Sequence, residues 1–151
     1  MTNSSGAGAA GKTVAVIDRS LEDARHYGRI LCGVLPAEVH IFTSSGDALE
    51  WCLREKPDLS VIDYHMPAFE GIPFLTCFRS NPVLKRSPAI LLAADRAVDV
   101  LFNPAGFEAF DILHKPVDLS RLGAVAQSML TASTNQRRVV SLRAAGQTGW
   151  C

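Results

Sequence analysis

Short apolar runs alternate with longer stretches in which apolar residues recur at helical spacing. Each run is continuous in aliphatic and β-branched residues, which is typical of a strand buried on both faces of a parallel sheet. The runs that predict strands lie at 13–17, 39–42, 59–63, 89–93 and 109–113.

Polar residues mark where the helices between the strands begin. Ser20 with Asp23 resembles a capping box, Ser44 lies in a second capping sequence, and Asp118 precedes the last periodic stretch. A third helix is expected to start at Pro73 and to stop near Asn81, and a short fourth is expected within 97–102. The first two helices are expected to bury Ala24, Tyr27, Ile30, Leu31, Val34, Ala48, Leu49, Trp51, Cys52 and Leu53.

Five strands alternating with five helices predict an α/β fold with right-handed crossovers. The expected architecture is a flavodoxin-like (βα)5 doubly wound domain with a five-stranded parallel sheet in the order 2-1-3-4-5. Residues 1–11 are predicted to be a disordered tail and 12–134 to be the domain. Residues 135–151 are expected either to prolong the last helix or to form a linker. They could be a natural terminus or lead to an output domain.

Composition and charge narrow the function classes. The 151 residues suit one domain, and 15 basic side chains balance 15 acidic ones, which argues against nucleic-acid or membrane binding. No apolar run approaches the roughly 20 residues that span a bilayer. The chain has four cysteines without C-x-x-C spacing, which predicts reduced thiols, mostly in the core of a cytoplasmic protein. They are Cys32, Cys52, Cys77 and Cys151.

Three charged residues follow alternate strands. Asp18 comes after the first strand, Asp63 ends the third and Lys115 follows the fifth. In the predicted strand order, the ends of the first and third strands meet at the topological switch point, where ligands of such sheets bind. We therefore expect two carboxylates and one ammonium group to converge there.

These residues carry a resemblance to the receiver domains of two-component response regulators, over about residues 12–134. The matching segments are Val16-Ile17-Asp18, the run from Asp63 to Pro67 with Gly71, and Lys115-Pro116. The intervals of 45 residues from Asp18 to Asp63 and 52 from Asp63 to Lys115 also fit that family.

The resemblance implies a signalling module and not an enzyme. It makes Asp63 the phosphoacceptor, Lys115 the contact to the phosphoryl group, and Mg²⁺ a cofactor held by Asp18, Asp63 and the backbone carbonyl of His65. It also implies that the Lys115–Pro116 bond is often cis. Expected partners are a histidine kinase or phosphotransfer protein and a second copy, bound through the face of the fourth helix, fifth strand and fifth helix.

Three positions depart from the family pattern and predict a degenerate site. Arg19 stands where a second acidic residue is usual, Ala93 where a hydroxyl residue ends the fourth strand, and Ile112 where an aromatic is common. A guanidinium repels a dication and can pair with Asp63 or Asp18, so Mg²⁺ is expected to bind weakly, well above millimolar. Arg19 as an ordinary surface charge is the simpler alternative.

Two functional readings therefore remain open. One is a receiver phosphorylated on Asp63, and the other is a phosphorylation-independent docking or dimerisation module. A small enzyme or flavin-binding protein on the same fold is disfavoured, because no glycine-rich loop follows the first strand. The His65 side chain is expected to be solvated, and segment 95–106 to be mobile.

Overall fold

The structure is a computed structural model that describes residues 11–66, 74–94 and 110–144, with side chains for all of these except Leu75 and 133–144. Its five strands form one parallel sheet in the order β2-β1-β3-β4-β5. This confirms the predicted fold class and strand order. The strands are β1 Lys12–Ile17, β2 Ala37–Phe42, β3 Leu59–Asp63, β4 Ala89–Ala93 and β5 Phe110–His114.

The described helices begin where the sequence places their caps. The Ser20 hydroxyl accepts a hydrogen bond from the Asp23 N–H at 3.2 Å, and the Asp118 carboxylate accepts one from the Arg121 N–H at 3.2 Å. Each bond satisfies a backbone donor that has no partner within its helix. The helices are α1 Leu21–Val34, α2 Ser45–Glu55, α3 Phe74–Ser80, a 3₁₀ turn Leu84–Arg86 and the C-terminal helix Leu119–Ala144.

The sheet is buried between two apolar layers. α1 and the C-terminal helix cover one face, and α2 with α3 covers the other. Consecutive side chains of a strand point to opposite faces, so β1 contributes Val14 and Val16 to the first layer and Ala15 and Ile17 to the second. This double burial explains why the strands are continuous apolar runs and leaves the strand ends as the place for polar chemistry.

Some residues expected in the core are exposed. Val34 and Leu53 are exposed, and so is Cys32. A helical residue is rotated by about 100° from its neighbour, so Val34 and Cys32 lie beside the buried stripe that holds Leu31 and Leu35. Cys52 is buried as predicted, and burial raises the pKa of its thiol to about 12.

The C-terminal helix continues without a break through residue 135 to Ala144, so these residues prolong the helix. No helix in the described ranges combines the length and apolar character needed to cross a membrane. The predictions for the N-terminal tail, Pro67, Gly71, Pro73, the helix within 97–102, the segment 95–106 and Cys151 lie outside the described residues.

Candidate functional site

The ends of β1, β3 and β5 bring the three predicted charged residues together. The Lys115 Nζ atom lies 3.2 Å from Asp18 Oδ2 and 3.5 Å from Asp63 Oδ1. Backbone hydrogen bonds fix two of the three, since the Asp18 N–H donates to Phe42 O and the Lys115 N–H donates to Ala93 O. The Lys115–Pro116 peptide bond is cis, as the resemblance implied. The predicted convergence of two carboxylates and one ammonium group is therefore confirmed.

Asp18 is fully buried, and both its carboxylate oxygens are engaged. Its Oδ1 atom accepts a hydrogen bond from the Ser20 N–H at 2.9 Å, and its Oδ2 atom accepts one from Lys115 Nζ. Burial raises the pKa of Asp18, and the nearby charge of Asp63 raises it further, while the bonds from Ser20 and Lys115 oppose the shift. Asp18 thus contacts both the start of α1 and the Lys115 ammonium group.

The two carboxylate oxygens of Asp63 have different surroundings. Oδ1 accepts a hydrogen bond from the His65 N–H at 3.0 Å and lies beside Lys115 Nζ. Oδ2 is buried and has no hydrogen-bond partner among the described residues, and the Arg19 Nε atom lies 3.7 Å from it. Oδ2 is therefore the Asp63 oxygen whose lone pairs are not engaged in a hydrogen bond within the described part of the chain.

Arg19 pairs with Asp63, which is one of the two partners that the sequence left open. Its side chain is 59% exposed, so solvent screens the contact and its contribution to stability is small. Its effect on charge is larger. Among the described residues, Arg19 and Lys115 formally balance the charges of Asp18 and Asp63.

The two remaining predicted positions lie next to the charged cluster. Ala93 is the last residue of β4, is fully buried and is paired with His114 of β5. Ile112 is half-buried on β5 and packs against the same apolar layer as Ala93. Neither side chain carries a hydroxyl or an aromatic ring, so both positions contribute packing.

The His65 side chain makes one contact that the sequence did not predict. The side chain is half-buried, and its Nε2 atom accepts a hydrogen bond from the backbone N–H of Ala94 at 3.4 Å. The contact joins the turn after β3 to the end of β4. Nothing in the local sequence signals it, because the two residues are 29 positions apart.

A model of the response regulator receiver domain matches residues 14–127. The chain belongs to this family. The match spans β1 to the C-terminal helix and includes all the site residues named above.

Curated relatives share the receiver over part of their length. The regulatory protein AtoC of Escherichia coli K12 is 30% identical over 113 residues, which are 75% of this chain and 24% of AtoC. A probable chemotaxis protein CheY of Rhizobium etli is 31% identical over 93 residues, or 60% of this chain and 72% of that protein. The chain spans about a quarter to a third of AtoC and of the Xanthomonas response regulator RpfG, a cyclic di-GMP phosphodiesterase.

Solved structures share the fold at lower identity. CheY4 of Vibrio cholerae aligns with a TM-score of 0.67 at 21% identity, covering 79% of this chain and 98% of that one. NtrX of Brucella abortus aligns with a TM-score of 0.71 at 19% identity, covering 87% of this chain and 30% of that one. These likenesses support the receiver fold.

Receiver domains typically bind Mg²⁺ at the phosphorylation site. Both predicted carboxylate ligands already have partners among the described residues. The two oxygens of Asp18 accept from the Ser20 N–H and Lys115, and the Oδ2 atom of Asp63 faces the guanidinium of Arg19. Within the described residues, no group of three His, Cys, Asp or Glu side chains is arranged to hold a metal. Mg²⁺ is usually held by one or two carboxylates with water completing its octahedral shell, so it would compete with these contacts for the same oxygens.

Proposed function

We propose that this receiver accepts a phosphoryl group on Asp63 from a histidine kinase or phosphotransfer protein, and that Arg19 takes the place of the metal ion. One observation carries the proposal. Among the described residues, the buried Oδ2 atom of Asp63 has no hydrogen-bond partner, and it lies 3.7 Å from the guanidinium of Arg19.

The chemistry requires a carboxylate nucleophile and nearby positive charge. A phosphoryl group in transfer carries negative charge on its oxygens, and catalysis consists mainly of positioning and electrostatic stabilisation. In the proposed step Asp63 Oδ2 forms the new O–P bond as the P–N bond to the donor histidine breaks and the imidazole leaves. Arg19 lies beside Oδ2 and Lys115 lies beside Oδ1. A guanidinium presents several N–H donors in one plane, which suits phosphoryl oxygens.

The wider context of the proposal follows the family. Residues 12–134 form the signalling unit, which is not itself an enzyme and works in the cytoplasm with its phosphodonor. Relatives such as AtoC and RpfG are longer than this chain, so an output domain after residue 135 is part of the proposal. The proposal also includes a homodimer that forms through β5 and the flanking helices.

The test is the intact mass of the protein after incubation with acetyl phosphate or phosphoramidate, with Mg²⁺ and with a chelator. We expect one added phosphoryl group under both conditions and none in Asp63→Asn. Asp47→Asn, which alters an exposed aspartate on α2, is the matched control and should be labelled like the wild type. An adduct that forms only with Mg²⁺ would contradict the role of Arg19.

The second candidate function is a docking module that works without phosphorylation. Two observations favour it: Arg19 already pairs with Asp63, and Ala93 has no hydroxyl to contact a phosphoryl group. Failure to label the wild type with either donor under either condition would support this candidate and reject the first.

A further inference from the structure

We propose that the His65 side chain is a positioning residue that ties the end of β4 to Asp63. In this chain a side-chain hydroxyl at residue 93 cannot provide that link, because the residue is alanine. The hydrogen bonds that form this tie are present in the unmodified protein. Its use in signalling rests on the proposed function.

A continuous path of contacts joins the ends of β3, β4 and β5. The His65 N–H donates to Asp63 Oδ1 at 3.0 Å, and the His65 Nε2 atom accepts from the Ala94 N–H at 3.4 Å. The path returns through Ala93, whose carbonyl accepts from the Lys115 N–H at 2.8 Å, and through Lys115 Nζ to Asp63 Oδ1 at 3.5 Å. His65 is the member of this path that uses a side chain to reach β4.

The contact makes Nε2 the acceptor atom of the imidazole ring. The ring is half-buried and meets the Tyr64 ring edge-on, with 5.4 Å between centroids. At 3.4 Å the bond to Ala94 is long, so it is weak enough to be released by a small shift of the turn.

The same geometry couples the tie to the chemical state of Asp63. A carboxylate accepts a hydrogen bond more strongly than a neutral carbonyl does. When Oδ2 is bonded to phosphorus, or when Asp63→Asn replaces the carboxylate by an amide, Oδ1 becomes a neutral carbonyl oxygen and holds the His65 N–H less firmly. The His65 backbone can then move, and Nε2 moves with it relative to Ala94. A chemical change at Asp63 therefore alters the hydrogen bond between His65 Nε2 and the Ala94 N–H at the end of β4.

The first test is amide hydrogen exchange of Ala94 in the unmodified protein, followed by NMR. We expect exchange to become about three- to tenfold faster in His65→Leu, which removes the acceptor. His65→Gln, which keeps an acceptor, should restore most of the protection. His26→Leu, on the exposed side of α1, should leave it unchanged. Unchanged exchange in His65→Leu, or a proton on Nε2 in the imidazole ¹⁵N spectrum, would overturn the proposal.

The second test uses Asp63→Asn to replace the carboxylate by a neutral amide, so that it does not depend on phosphorylation. We expect the Ala94 amide resonance to shift in Asp63→Asn and this shift to disappear when His65→Leu is added. A shift of equal size in both backgrounds would show that β4 senses Asp63 by another route. Failure of phosphoryl labelling would reject the proposed function. Both outcomes of the Asp63→Asn experiment could still be interpreted in that case, because it uses no phosphorylated protein.

Discussion

At the residue scale, two buried carboxylates are balanced by two cations of different kinds. Lys115 is a compact ammonium group that is 19% exposed and lies within 3.5 Å of both Asp18 and Asp63. Arg19 is more exposed and approaches Asp63 from the other side. Since unpaired charges are costly to bury, each cation offsets part of the penalty of holding the carboxylates out of water. The sequence predicts Lys115 as part of a receiver site and Arg19 as a departure from it.

A single substitution at Arg19 should create a metal site. In Arg19→Asp we expect Mg²⁺ to bind at least about tenfold more tightly than to the wild type, because each 1.4 kcal/mol of relieved repulsion is a factor of ten. Isothermal titration calorimetry measures the affinity. Arg19→Gln removes the charge without adding a ligand and should gain less. Equal affinities for wild type and Arg19→Asp would show that Arg19 does not control the site.

Asp18 should give stability a pH dependence of identifiable sign. Its pKa is raised in the native state, so the folded protein binds this proton more readily than the unfolded chain does. The ionised Asp18 carboxylate therefore lowers the free energy of unfolding by its full amount at neutral pH. This loss diminishes as the pH falls through the raised pKa towards 3.8, the ordinary value of an aspartate.

Asp18→Asn should accordingly be more stable than the wild type at pH 7, and the advantage should shrink as the pH falls into this acid range. Urea unfolding at a series of pH values measures the difference, with Asp47→Asn as the background for an exposed carboxylate. An advantage that grows on acidification would have the wrong sign for a raised pKa.

The sequence predicts these charged residues better than their pairing. Strand ends are readable from apolar runs, so the meeting of Asp18, Asp63 and Lys115 follows from the topology. The pairing of Arg19 with Asp63 is a tertiary contact between the ends of β1 and β3, so the sequence left Asp18 and Asp63 equally open as partners. The contact of His65 with Ala94 also depends on how two separate turns meet.

At the scale of single elements, the helices depend on local hydrogen bonds at their N-termini. At the start of α2, which is far in sequence from Lys115, the Ser44 hydroxyl accepts a hydrogen bond from the Asp47 N–H at 3.3 Å. Such caps were predictable because they involve residues three positions apart. The exposed Leu53 and Val34 were not, because helical periodicity shows which residues are apolar but not how wide the buried stripe is.

Removing the cap of α2 should destabilise the protein modestly. We expect Ser44→Ala to lower the free energy of unfolding by about 1 kcal/mol, since one helix N–H loses its partner. Chemical denaturation at constant pH measures the change. Ser44→Asp keeps an acceptor at this position and should retain most of the stability. A loss of equal size in both variants would point to a role of the hydroxyl other than capping.

At the scale of the whole molecule, the sheet separates two apolar layers that share its strands. Ile90 packs in the layer beneath α1 and the C-terminal helix, whereas Ile62 packs in the layer beneath α2 and α3. Both side chains are almost completely buried. The layers are joined through the backbone of the sheet and not through contact between these two side chains.

Substitutions in the two layers should therefore be additive. Ile90→Val and Ile62→Val should each cost about 0.5–1.5 kcal/mol, and the double variant should cost their sum within about 0.5 kcal/mol. Denaturant unfolding of the four proteins completes the cycle. A larger coupling energy would mean that strain passes through the sheet from one layer to the other.

The length of the C-terminal helix has a mechanical consequence. Leu130 is its last buried residue among those with described side chains, and the helix continues to Ala144, which is about 14 residues or roughly 21 Å further. The helix starts four residues after Lys115, next to the charged cluster. A tilt of only about 5° at its base, Leu119, would displace Ala144, which lies roughly 38 Å away by the rise per residue, by roughly 3 Å. A small rotation of the helix beside the charged cluster therefore becomes a larger displacement at its C-terminal end.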